Sequence, residues 1–375
     1  MKRTTLCIFL ITFSLILFAT DYSKVDSHSG SVPQNMRTAP EIARYLTKDL
    51  ASPTDKVRAI YYWMAHSIRY DVSKMNSNST YTDPQELVDQ VLKTRKGLCA
   101  HYSALFDACC HSVGIQSYNI EGYTRQNGKV INIAHAWNAV KIDGRFYNID
   151  VTWAAGYITG SKYLHKFTDE FFMIPPVEFI KTHMPFDPVW QFSNHPITHK
   201  EFDTSDFSTQ KKGSGFNFSD SIKEQSGLSM LEKMIHENQR ITTSGVTNGM
   251  TRNKISQNQQ GIATEKYNHA AEAFNKGVQK FNYYVQCKNS QFEKTTMKDD
   301  KILEVLSSAR RLIESAESTL TTMKTDKSDK IRSTGDLEKS IRVLKKELDT
   351  EDAFVGKYIK TSKSLRLNLF YRKIG

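Results

Sequence analysis

Two regimes of hydrophobic patterning follow one another along the chain. Between about residues 39 and 205 helical and strand-like periods alternate, whereas from about 216 to 375 apolar residues recur almost only at three-four spacing. In the first regime Val57, Ile60, Trp63, Met64 and Ile68 share one helical face, with Thr54 expected as the cap. Asp83-Pro84 opens a second helix carrying Leu87, Val88, Val91 and Leu92, the proline taking the first helical position. A third begins at Cys99. Its Tyr102, Phe106, Cys109 and Val113 step by three and four, and Gly114 is placed to end it. The period then changes: the segment NGKVINIAHAWNAVKIDGRFYNIDVTW partly alternates and contains Asn127-Gly128 and Asp143-Gly144, dipeptides that favour two-residue hairpin turns. A three-stranded antiparallel meander is predicted.

In the second regime three amphipathic stripes predict a helical bundle. The first runs Tyr267, Ala271, Phe274, Val278, Phe281 and Val285; the second Ile302, Leu306, Ala309, Leu312, Ala316, Leu320 and Met323; the third Leu337, Ile341, Leu344 and Leu348. A weaker helix is expected from Ile222 to Ile235. The stretch TTSGVTNGMTRNKISQNQQG (242–261) has little apolar content and is expected to be a mobile loop.

Composition sharpens the boundary. All nine prolines and all four tryptophans lie at or before Pro196. An α+β domain over 39–205 and an all-α domain over 216–375 are therefore expected, after a linker at 21–38. Ahead of it, Lys2 and Arg3 precede an apolar run from Leu6 to Ala19, the shape of a secretory signal. The run is shorter than the roughly 20 residues of a membrane-spanning helix. A cleaved signal over 1–20 is expected, with the rest of the chain periplasmic or extracellular.

Charge changes the picture less. The formal net charge is +11, but residues 216–375 hold 28 Lys and Arg against 20 Asp and Glu, and the first 215 hold 23 against 20. Without a dense basic block, nucleic acid is not an expected partner. The excess in the second domain leaves open an acidic polymer or a cell-envelope surface. Beyond Cys7 in the signal, four cysteines are too few for a disulfide framework. Adjacent Cys109 and Cys110 point in different directions on a helix and are expected to pack as small hydrophobes.

Cys99 is different. It sits at a helix start, where the partial positive charge favours a thiolate. If Asp143-Gly144 forms the turn, Ile142 pairs with Arg145, Trp137 stands opposite Asp150, and His135 opposite Thr152. His135 and Asp150 then become diagonal neighbours on one face. A Cys99-His135-Asp150 triad fits: the histidine takes the thiol proton and later gives it to a leaving amine, the aspartate orients the imidazole, and free helix-start amides stabilise an oxyanion. Each residue taken singly has a plainer reading, as core cysteine, structural histidine or strand-ending aspartate. Asn148 and Asp143 are weaker candidates for the orienting role. Trp137 is expected to wall the site, Trp153 to lie on the opposite face in the core, and His101 and His111 to be surface or packing residues.

GLCAHYSALF around Cys99, AHAWNAVKIDGRFYNIDVTW around His135 and Asp150, and VRAIYYWMAHSIRYD upstream closely resemble the transglutaminase-like superfamily, especially its bacterial, kyphoscoliosis-peptidase-like branch. FFMIPPVEFIKTHMPFDPVWQF (171–192) looks like an extension of the same family. The resemblance covers about residues 40–205. It implies a papain-like core, in which the cysteine helix packs on an antiparallel sheet, with Cys99, His135 and Asp150 as the catalytic residues. Members act as cross-linkers, deamidases or peptidases, and some are inactive scaffolds. The expectation is an exported cysteine acyltransferase or hydrolase acting on protein or peptide amides, with no cofactor and no metal. The competing expectation is a non-catalytic module binding peptide or envelope material on the same fold.

Overall fold

The computed structural model describes residues 21–30, 32, 33, 35–75, 83–207, 215–325 and 334–371; the expected signal segment lies outside them. The fold is α+β with a C-terminal helical region. It divides into two compact units, one built from residues up to 122 together with 134–183, the other from 123–133 together with the chain from Met184 on.

In the first unit the helices α1 (Ala39–Thr47), α2 (Pro53–Ser67), α3 (Pro84–Thr94) and α4 (Cys99–Ser112) enclose one apolar core. Each start has a local cause. Thr38 and Glu41 form a capping box on α1, and Asp83 accepts from the Gln85 amide on α3. On α2 the cap is Ser52, which accepts from the Asp55 amide, rather than the expected Thr54. Pro53 explains the shift, since proline at the first helical position hands the capping role to the residue before it. Cys109 and Cys110 are fully buried on α4, as packing residues should be, and all four described cysteines are free thiols. Within the expected linker, Ser23–Ser29 is helical, and its Asp26 binds the buried guanidinium of Arg58.

The meander forms with its predicted turns. Strands β1 (Gln116–Gln126), β2 (Lys129–Ile142) and β3 (Arg145–Ile149) join a short strand β4 (His183–Pro185) in a sheet of order β3-β2-β1-β4. Asn127 and Gly128, like Asp143 and Gly144, take positive φ, as this turn type requires. Ile142 pairs with Arg145 and Asn138 with Ile149, which is the expected register. The ladder stops there. Asp150 caps the short helix α5 (Val151–Ala155) by accepting from the Trp153 amide, so Thr152 never pairs with His135.

The second unit takes in the tip of the β1-β2 hairpin. The Tyr123 hydroxyl meets His199 and Asp203. Its helical part departs from the sequence reading in two places. The single weak helix expected over 222–235 is two, Phe218–Gln225 and α6 (Met230–Ser244), the latter started by a Ser229–Glu232 capping box. The segment 242–261, expected to be a loop, mostly belongs to α7 (Gly249–Asn289), which Asn248 caps. Polar pairing does there what apolar burial does elsewhere: buried Asn258 donates to Glu237 and Asn238 of α6, while Met250, Ile262 and Ala263 supply a thin apolar seam. The three predicted stripes line the core formed by α7, α8 (Asp299–Thr325) and α9 (Gly335–Lys360), except that in the second Ile313 rather than the expected Leu312 is buried.

Candidate active site

The first turn of α4 carries Cys99, half-buried, with Leu98 at the cap position. Leu98 has no polar side chain to offer the amides of that turn, and while its carbonyl takes those of His101 and Tyr102, the Cys99 and Ala100 amides stay available to an anion. Its own amide is taken by the Nδ1 of His101, 3.2 Å away. His101 proves to be buried packing, pressed so closely on Gly97 that a Cβ at position 97 would fall 2.5 Å from the His101 Cβ. His111 is exposed and faces Asp107 on the same helix.

Strand β2 brings His135 to the carboxylate that follows β3. The Nε2 of His135 lies 2.6 Å from Oδ2 of Asp150, and the Asp150 side chain is wholly buried. With Nε2 committed, Nδ1 is the ring nitrogen left for Cys99, which lies close enough to act on the imidazole. Burial opposes a charged imidazole, but the Asp150 carboxylate and Cys99 outweigh it and His135 is pushed up to about 10. Burial likewise opposes a charged Asp150, and His135 with His183 overrides it, holding the carboxyl well below the usual range.

Trp137 stands against His135 with ring centroids 6.2 Å apart, walling the site as expected. Trp153 is not on the far side of the sheet. It lies 5.6 Å from His135, because the chain turns into α5 at Asp150 and the strand alternation no longer applies. Asn148 is buried one turn of the pleat away, its backbone paired with Ile174, and Asp143 stays in its turn; neither orients His135.

The residue that sequence reading missed is His183. Its Nε2 is 3.2 Å from the same Asp150 oxygen, and it arrives from 33 residues downstream on β4. The only trace was its place in the segment 171–192 that looked like a family extension. His135, Asp150 and His183 offer ligand atoms all within 4.8 Å of one another, a spacing compatible with a metal ion. Both imidazoles already hydrogen-bond the shared oxygen, so the cluster is accounted for without one.

Residues 40–151 match the family model described as the transglutaminase-like superfamily. That match covers less than a third of the chain. Kyphoscoliosis peptidase of Mus musculus is 31% identical over 174 residues, covering 44% of this chain and 26% of the relative. That of Homo sapiens is 27% identical over 201 residues, covering 51% and 30%. The chain therefore spans less than a third of the length of either relative. An arylamine N-acetyltransferase structure from Mycobacterium marinum aligns at 19% identity over 31% of this chain and 46% of its own, with a TM-score of 0.25, an overlap that adds nothing to the argument.

Proposed function

We propose that the protein is a cysteine-dependent acyltransferase or hydrolase of protein or peptide amides, working through Cys99, His135 and Asp150. The observation that carries the reading is the buried His135–Asp150 pair at 2.6 Å, with Cys99 close enough to act on the same imidazole from a helix start that has no side-chain cap. The thiolate sulfur of Cys99 attacks the amide carbonyl carbon, and the first-turn amides of α4 receive the resulting oxyanion. The proton held on His135 passes to the departing nitrogen, the C–N bond breaks, and a thioester remains. Water or an amine then attacks the thioester carbonyl, giving His135 a proton as the Cys99 sulfur leaves, which returns the resting pair. The peptidase named among the relatives fits hydrolysis, in which water is the acceptor in that second step. The leader-like pattern of residues 2–19 supports an exported setting.

The test is a panel of fluorescent peptide amides with water alone or with an added primary amine as acceptor. Turnover that vanishes in Cys99→Ser and falls in Asp150→Ala supports the proposal; turnover retained in Cys99→Ser contradicts it. The partition between free acid and amine adduct decides between hydrolase and transferase.

A further inference from the structure

Asp150 receives a second imidazole that the triad chemistry does not use. His183 is fully buried, and its ring is held on every side: it stacks on Phe179 with centroids 3.9 Å apart and meets Trp153 at 4.5 Å and Trp137 at 5.3 Å. A carboxylate only accepts, so the Nε2 facing Oδ2 at 3.2 Å carries the proton. With that tautomer, Nδ1 accepts from the Thr182 hydroxyl at 2.8 Å, a shorter contact than the 3.3 Å from the same hydroxyl to the Phe179 carbonyl.

The two histidines on this oxygen have different environments. Burial is the dominant influence on His183 and pulls it down to about 4 although Asp150 favours its charged form, whereas His135 is pushed up to about 10. At neutral pH one is a charged partner and the other a neutral donor. Oδ1 is meanwhile held by the Trp153 amide at 3.0 Å, so the carboxylate has three fixed donors and no freedom to rotate.

Resting on the triad reading above, we propose that His183 is a positioning residue: its neutral Nε2–H, locked by Thr182 and the aromatic wall, holds Oδ2 of Asp150 on His135. Removing that donor leaves a buried carboxylate with one hydrogen bond fewer and lets it swing away from His135, so the imidazole loses its alignment toward Cys99.

The measurement is the initial rate of Cys99 carboxamidomethylation by iodoacetamide in the full chain, read by peptide mapping, for wild type, His183→Leu, His183→Gln, Thr182→Val and, as reference, His135→Ala. A charged-acceptor hydrogen bond is large enough that His183→Leu is expected to slow labelling by about tenfold or more. His183→Gln, which places an amide N–H near the former Nε2, is expected to recover most of the rate. Thr182→Val, which touches neither Asp150 nor Cys99, is expected to slow it severalfold. Wild-type rates in folded Thr182→Val and His183→Leu, with His135→Ala slow, overturn the inference and leave the triad standing. A folded His183→Gln as slow as the leucine variant reduces His183 to packing and also overturns it. Should His135→Ala label at the wild-type rate, the triad reading falls and this inference with it.

Discussion

Replacing Asp150 by alanine removes three interactions at once, and their sum can be worked out from the structure. The carboxylate caps α5 through the Trp153 amide, a kind of contact worth about 1 kcal/mol. It also accepts from two imidazoles, His135 and His183, and each buried donor left unpaired costs about 1–3 kcal/mol. The unit holding the site is therefore expected to lose about 3–7 kcal/mol in Asp150→Ala. Urea unfolding followed by tryptophan fluorescence is the assay, because Trp137 and Trp153 both stand beside His135. A loss under about 0.5 kcal/mol, the range of an ordinary surface change, would refute the reasoning that Asp150 organises this corner.

Other consequences follow from the same geometry. With His135 raised to about 10 against an unfolded value near 6.5, its contribution to stability is fully present below pH 6.5 and is lost as pH rises toward 10; alkaline unfolding of wild type but not of His135→Gln across that window checks the sign. Gly97→Ala is expected to push α4 off its start through His101 and to slow Cys99 labelling, since a Cβ there would lie 2.5 Å from the His101 Cβ; an unchanged rate would show that the close approach is unimportant. Arg58→Met strips a buried cation from Asp26 and Asp169 and is expected to destabilise by about 3 kcal/mol and to expose Ser23–Ser29 to limited proteolysis, which N-terminal sequencing of the fragments reads directly.

How much of this was legible in the sequence depended on whether the cause was local. The hairpin register was, because Asn127-Gly128 and Asp143-Gly144 define their own turns and the period of two does the rest. The approach of His135 to Asp150 followed from that register. Trp153 did not, since the alternation ends where Asp150 becomes a helix cap, and a cap is a property of what comes after it. His183 was out of reach for a different reason: nothing near it in the chain announces that β4 will return to the sheet and aim it at a carboxylate 33 residues earlier. The start of α7 was missed because its partners are Glu237 and Asn238, and periodicity counts apolar residues, not buried amides.

The central claim, that Cys99 and His135 work as one unit, is tested most directly by alkylation at mildly acidic pH with peptide mapping, comparing Cys99 with Cys287 in wild type and in His135→Ala. Both thiols are half-buried and free, so access alone does not separate them. The account predicts that Cys99 labels at least about tenfold faster than Cys287 and loses that advantage when His135 is removed. Equal rates for the two cysteines, or a Cys99 rate indifferent to His135, would contradict it.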